Sequence, residues 1–355
     1  MKVLVGLSGG VDSSVTACLL KEAGYEVVGA TMSVWDQKLF AGLTFKKEAC
    51  FSPHEEKDVE LAKALCRKLD IPYYLIDCAK EYQQTVLKNF REEYLAGHTP
   101  NPCVVCNSLI KFEALPNAAR KQGLVFDKFA TGHYVKIGFD KTKIRYTLGQ
   151  ALDEKKDQSY FLYRLSQKQL SSVMTPLGDF CKEDVRKIAK KYGLDVSDKK
   201  DSQDFYAGDV GDLIDAPAKE GNFVNTAGKI LGKHQGIWHY TIGQRRGLGV
   251  SADRPLYVVE IRPSTNEVVL GYDEECFQTG VQISRLNWVS VEKLSEKTSV
   301  MLKLRSSQKA FEAEFEPLGE DKAKLNFGVK QKAVASGQSA VMYDENGLVL
   351  GGGII

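Results

Sequence analysis

Two thiols three positions apart, Cys103 and Cys106 in TPNPCVVCN, are the residues of this 355-residue chain best suited to covalent chemistry. A helix starting near them would lower their pKa values, so a thiolate at neutral pH is expected. Spacing alone leaves three chemistries open: a nucleophile that handles sulfur, half of a zinc or iron–sulfur ligand set, or a pair of inert structural thiols. The second reactive segment is SGGVDSS at 8–14, where an apolar run passes into a helical pattern. Backbone amides of such a turn cradle phosphate. Gly9 and Gly10 allow close approach, Ser8, Ser13 and Ser14 add hydroxyl donors, and Asp12 is placed to hold a magnesium ion on the phosphates.

These residues need elements to carry them. KVLVGL (2–7) reads as a buried parallel strand, and Val11, Val15, Cys18 and Leu19 as one face of a helix that stops at Gly24. Strands follow at 26–32, 72–77 and 127–131, with helices between them carrying Val59, Ala62, Cys66 and Leu69, then Val86, Phe90 and Tyr94, then Phe112 to Arg120. GHTPNPCVVCN reads as a loop. Alternation of this kind predicts an α/β, doubly wound parallel sheet of Rossmann-like type. A hairpin is expected at 134–149 and two short helices at 167–194. Gly-rich short strands over 204–275 predict a small β-rich central domain, and period-two segments after 280 a C-terminal antiparallel β-barrel. The expected division is 1–203, 204–278 and 279–355.

Forty-eight Lys and Arg against 46 Asp and Glu leave a net charge of +2, so no global basic field drives indiscriminate nucleic-acid binding and any polyanion must meet local patches. Mean hydropathy of -0.26 and the lack of any 18-residue apolar run or leader-like start predict a cytoplasmic chain without a membrane partner. Eight cysteines in that compartment point away from a disulfide framework. His54, His98, His234 and His239 lack metal spacing, so no zinc site is expected. Gln244, Arg245 and Arg246, among glycines in GIWHYTIGQRRGLG (236–249), form either a tight hairpin or a cationic surface for phosphates, and RNA contact is the favoured reading. Lys155–Lys156 and Lys199–Lys200 read as solvated runs.

SGGVDSS resembles the PP-loop of the ATP pyrophosphatases, which transfer AMP; it is not a Walker loop. Together with TPNPCxxCN, KKDQSYFL (155–162), KDSQD (200–204), GIWHYTIGQRRGLG and SGQSAV (336–341), it resembles the tRNA-uridine 2-sulfurtransferases along nearly the whole chain. The resemblance implies adenylation of the wobble uridine 2-oxygen by ATP with Mg2+, then attack by cysteine-borne sulfur. By that resemblance Gly6, Leu7, Ser8, Gly9, Gly10, Val11, Asp12, Ser13, Met32 and Gly132 hold ATP. Asn101, Pro102 and Cys103 meet the target base, and Cys106 is the nucleophile. His133, Lys156, Asp157, Gln158, Arg305, Ser306 and Gln338 meet tRNA.

One departure stands out. The family pattern D-S-x-x-x-C-F carries a second catalytic cysteine, whereas this chain reads Asp201-Ser-Gln-Asp-Phe-Tyr206. A phenol cannot carry sulfur, so two routes remain. Cys103 and Cys106 work as a persulfide pair fed by a sulfur donor, or both ligate an iron–sulfur cluster with Cys50 or Asp204 as third ligand; the cluster is slightly favoured. Two other functions compete: a PP-loop amide-forming ligase, against which the C-x-x-C segment and barrel speak, and a catalytically inactive tRNA-binding paralogue, which Tyr206 supports.

Overall fold

The computed structural model describes residues 1–36, 49–53, 55–194, 205–206 and 208–355. Strand β1 (Lys2–Gly6) explains the layering: Val3 and Val5 face one apolar layer and Leu4 the other, all fully buried. Helix α1 (Val11–Glu22) returns the chain to β2 (Glu26–Ser33), and α2 (Glu55–Leu69) leads to β3 (Tyr73–Asp77). Gly24, at φ +82°, closes α1 in the left-handed region that favours glycine.

A helical stretch follows, α3 (Ala79–Tyr82), a π-type segment Gln83–Leu87 and α4 (Lys88–Leu95). After a short loop comes a second, α5 (Pro102–Val105), a π-type segment Cys106–Ala114 and α6 (Leu115–Lys121). The expected loop over 97–107 is therefore mostly helix, and both thiols lie within it. Asn101 caps it by accepting from the Val104 amide at 3.3 Å, and Pro102 sits at the first position, where a missing N–H costs nothing.

Strand β4 (Lys128–Ala130) precedes the hairpin β5 (Val135–Asp140) and β6 (Arg145–Gln150). Then come α7 (Ser159–Leu162), α8 (Gln167–Ser172), β7 (Val173–Met174) and α9 (Lys182–Lys191). The sheet order is β3-β2-β1-β4-β7, all parallel. Residues of α1, α2 and α9 pack in the layer with Val3 and Val5; those of the Cys106 stretch and α6 pack in the layer with Leu4. Both faces are covered, as a parallel sheet requires.

Beyond α10 (Val210–Ile214), β8 (Gly221–Asn225), β9 (Ile230–His234), β10 (Tyr257–Arg262) and β11 (Glu267–Gly271) form a four-stranded sheet. The GQRRGLG segment lies between β9 and β10 as an irregular turn, not a hairpin ladder: Gln244 Oε1 accepts from the Thr241 amide and its Nε2 donates to the Arg246 carbonyl. Strands β12 (Phe277–Trp288), β13 (Thr298–Lys303), β14 (Phe311–Pro317), β15 (Lys322–Lys332), β16 (Ser339–Tyr343) and β17 (Val349–Ile354) close the expected antiparallel barrel.

Candidate active site

The SGGVDSS turn leaves β1 at its carboxyl end. Gly9 has φ +65°, and a Cβ there would lie 2.7 Å from Asp58 Cα, so only glycine fits. Ser13 Oγ accepts the Ser8 amide at 3.2 Å and donates to the Gly10 carbonyl, which also takes Ser14 Oγ at 2.8 Å. The N-cap residue Gly10 has no side chain with which to cap α1, so the first-turn amides suit an anion. Gly132 closes the floor, since a Cβ there would stand 2.7 Å from Asp12 C and 2.8 Å from Ser13 N. Met32, half-buried near the end of β2, completes a set gathered at the carboxyl ends of β1, β2 and β4, where open parallel sheets bind ligands. This donor set fits a polyphosphate.

Asp12 is already engaged. Lys182 Nζ donates to both its oxygens, at 2.7 and 2.8 Å, and Tyr134 Oη donates to Oδ1 at 2.7 Å. Lys182 and Tyr134 are buried. Sequence reading missed both: Tyr134 directly follows the candidates Gly132 and His133 and was within reach of inference, but Lys182, 170 residues from Asp12, carries no local signal.

The thiol site lies on the other layer. Burial pushes the Cys106 thiol up to about 12, only partly opposed by the Lys111 ammonium. Burial also raises half-buried Cys103, again against Lys111. The expectation of thiols activated by a helix N-terminus is thus corrected: desolvation of the charged form outweighs the dipole of a short first turn. Cys50 is exposed and lies close enough to act electrostatically on both Cys103 and Cys106. Burial disfavours the charge of Lys111, yet the fields of Cys106, Cys50 and Cys103 outweigh it and hold its pKa above the ordinary value.

Among the described residues no group of three His, Cys, Asp or Glu converges in a way that could hold a metal, so the cluster set of Cys103, Cys106 and Cys50 does not fit as placed. Asp204, like His54, Lys199 and Lys200, lies outside the described residues. The Tyr206 segment passes beside Cys50: the Phe51 amide donates to the Phe205 carbonyl at 3.0 Å, and their rings stack at 6.2 Å. Tyr206 Oη itself donates to Asp212 Oδ2 at 2.8 Å.

Residues 132–134 join the two halves. Gly132 lies under α1, Tyr134 bonds Asp12, and between them His133 packs on Phe112 with ring centroids 5.4 Å apart. Burial, then Lys111, lowers the His133 pKa to about 3, and its Nδ1 pairs with Thr131 Oγ1 at 2.8 Å.

The other candidates divide. Asn101 borders a cleft whose lining includes Pro100, Val104, Arg164, Arg285, Gly337 and Ser339, with Pro102 next to it in the chain; the two arginines went unnoticed in the sequence. Gln338 Nε2 donates to the Thr99 and Pro100 carbonyls. Asp157 is inside: its side chain is 2% exposed, paired with Lys303 at 3.2 Å and bonded by the Ala151 and Ser159 amides. Gln158 accepts from the Tyr134 amide at 3.0 Å. Lys156 is half-buried, while Arg305 and Ser306 are exposed on the barrel.

The first 206 residues match the model of the tRNA methyl transferase HUP domain, 215–272 its PRC-barrel domain, and 278–355 the aminomethyltransferase beta-barrel domain. A tRNA-specific 2-thiouridylase of Endomicrobium trichonymphae is 48% identical over 357 residues, covering 100% of this chain and 99% of that protein. The chain belongs to the tRNA-specific 2-thiouridylase family. A second 2-thiouridylase, from Clostridium botulinum, is 44% identical over 100% of this chain and 97% of its own, and one from Acetivibrio thermocellus 43% over 100% and 99%. Among solved structures, NMN synthetase of Francisella tularensis overlaps this 2-thiouridylase-family chain at TM-score 0.34 and 16% identity, covering 56% of it and 65% of the synthetase. A 4-thiouridine synthetase–RNA complex with bound ATP overlaps at TM-score 0.28 and 17% identity, covering 61% and 46%.

Proposed function

We propose that this chain is an ATP-dependent tRNA 2-thiouridylase that replaces the 2-oxygen of the wobble uridine with sulfur carried on Cys106. The observation that carries the reading is the joint at Gly132–Tyr134, which ties the anion-binding turn to the thiol layer through three consecutive residues. Membership of the family supports it over an amide-forming ligase.

In this reading residues 6–13, Met32 and Gly132 bind ATP, with Asp12 the ligand of its Mg2+. ATP would supply the leaving group, since adenylation turns the uridine 2-oxygen into AMP on departure. Asn101, Pro102 and Cys103 meet the base beside the cleft that Asn101 shares with Arg164 and Arg285, and Lys156, Arg305, Ser306 and the GQRRGLG turn meet phosphates. His133, neutral at physiological pH, offers hydrogen bonding without charge. The contacts of Asp157, Gln158 and Gln338 favour a supporting role, in which they hold the segments that face RNA.

Cys103 and Cys106 act as the sulfur pair. A persulfide donor loads Cys106; the outer sulfur bonds to uridine C2 as AMP leaves; Cys103 then attacks Cys106 Sγ, the S–S bond breaks, and its electron pair stays on the sulfur of the new thiouridine. The resulting disulfide needs a thiol reductant. The division at about 203 and 278 and a cytoplasmic setting belong to the same proposal. Purified chain, ATP, Mg2+, a persulfide donor and unmodified tRNA should yield 2-thiouridine and AMP in equal amounts, and Cys106→Ser neither thiouridine nor persulfide. Tight tRNA binding with no AMP under any sulfur supply identifies the inactive paralogue instead.

A further inference from the structure

The Asp12 carboxylate poses a problem that the proposed function leaves open. Mg2+ binds carboxylate oxygens at about 2.0–2.1 Å, and here an ammonium already lies 2.7 and 2.8 Å from the two oxygens. Lys182 is no loose surface chain. Its side chain is 9% exposed, its own amide is anchored on Asp153 Oδ2 at 3.0 Å as the first residue of α9, and its Nζ lies 5.8 Å from the Tyr134 ring centre. Tyr134, whose hydroxyl holds Oδ1 at 2.7 Å, fixes the carboxylate for it. A monovalent cation thus occupies the seat, and a divalent ion entering alone would meet that like charge at close range.

The start of α1 beside the pair, with a glycine at its N-cap, suits an anion. A nucleotide brings several negative charges to that spot and offers Lys182 a replacement for Asp12. Ammonium groups are point-charge phosphate ligands with rotatable stems, which suits such an exchange.

We propose that Lys182 is a built-in plug of the cation seat: it holds Asp12 in the nucleotide-free chain and exchanges onto the polyphosphate, so that the divalent ion enters only with nucleotide. The proposal rests on the reading of Asp12 as the cation ligand. It makes Lys182 a positioning residue for the metal and a ligand of the phosphates.

The test uses the full chain, Mn2+ as probe and α,β-methylene-ATP as uncleaved nucleotide, with bound Mn2+ counted by electron paramagnetic resonance. Wild type should bind Mn2+ at least tenfold more tightly with the nucleotide than without it. Lys182→Met, which keeps the buried stem, should gain Mn2+ affinity about tenfold in the absence of nucleotide and lose metal-free nucleotide affinity by a similar factor. Lys182→Gln serves if the first variant does not fold. Nucleotide-free Mn2+ affinity unchanged in these variants overturns the plug, as does wild-type protein that binds Mn2+ equally well with and without nucleotide. Retention of Mn2+ in the nucleotide complex of Asp12→Asn is a different failure, since it removes Asp12 as cation ligand and with it the reading on which the plug rests.

Discussion

Gln338, at the mouth of the barrel, donates its side-chain amide to the Thr99 carbonyl at 2.8 Å and so grips the loop that leads into the helix of Cys103 and Cys106. The same carboxamide reaches the Pro100 carbonyl at 3.3 Å, and the Thr99 amide returns a bond to the Ser336 carbonyl at 2.7 Å. A residue of the C-terminal barrel therefore sets the position of the Asn101 cap 237 residues earlier in the chain.

Gln338→Ala should loosen that grip. Each hydrogen bond contributes about 1 kcal/mol, so the melting temperature should fall by only a few degrees while thiolation falls about tenfold. Unimpaired thiolation in the variant, measured as 2-thiouridine formed per minute, would show that the loop holds its place without the barrel.

The buried pair of Asp157 and Lys303, 3.2 Å apart, joins the first domain to the barrel. Breaking it from one side leaves an uncompensated charge, at a cost of about 3–5 kcal/mol. Asp157→Asn alone should lower the denaturation midpoint strongly, and adding Lys303→Met should recover much of the loss. Equal destabilisation by the single and double variants in urea unfolding would remove the ion pair as the cause.

Buried thiols set the alkaline limit of stability. Burial raises Cys18 to about 11 and Cys66, Cys78 and Cys106 to about 12, from an ordinary thiol value near 9. In the unfolded chain they ionise as pH passes that ordinary value, whereas the folded chain keeps them protonated, so stability present below about pH 9 is lost as pH rises toward about 12. His133 acts at the other end: its folded pKa near 3 lies below the ordinary 6.5, so stability present above 6.5 falls as pH drops toward 3. Melting temperatures in reducing buffer should form a plateau between roughly pH 6.5 and 9. Cys66→Ala should flatten the alkaline limb.

Lys111 is the positive charge opposing burial at Cys106. Lys111→Met should slow alkylation of Cys106 by iodoacetamide severalfold at pH 8, with exposed Cys50 little changed, as read by mass spectrometry of the modified peptides. An unaltered Cys106 rate would mean that the ammonium does not reach the thiol.

Tyr206→Cys places a thiol beside the Cys50 turn at the price of the bond to Asp212. Activity should neither require it nor be lost with it, and the check is thiolation of the same tRNA by both proteins. Thiolation by the variant alone would mean that Cys103 and Cys106 do not complete the sulfur route.

The local chain determined most of the architecture. KVLVGL had to be a buried strand because its apolar side chains leave no polar face, and the alternation in MLKLR, FEAEF and AKLNF could satisfy only a sheet with one face inward. SGGVDSS was legible for the same reason: glycine tolerance and a helix start are properties of neighbouring residues. What tertiary structure decided was everything set by burial and by partners far along the chain. The helix start at Pro102 looked like an activator of thiols, until packing removed the water that a thiolate needs. The resemblance assigns Asp157 to tRNA contact, and only the fold shows that Lys303 from the barrel pairs with its buried side chain. Asp12 looked like an open metal ligand, and Lys182 from α9 fills it. Charge and solvation depend on distance in space, which spacing along the chain does not encode across 170 residues.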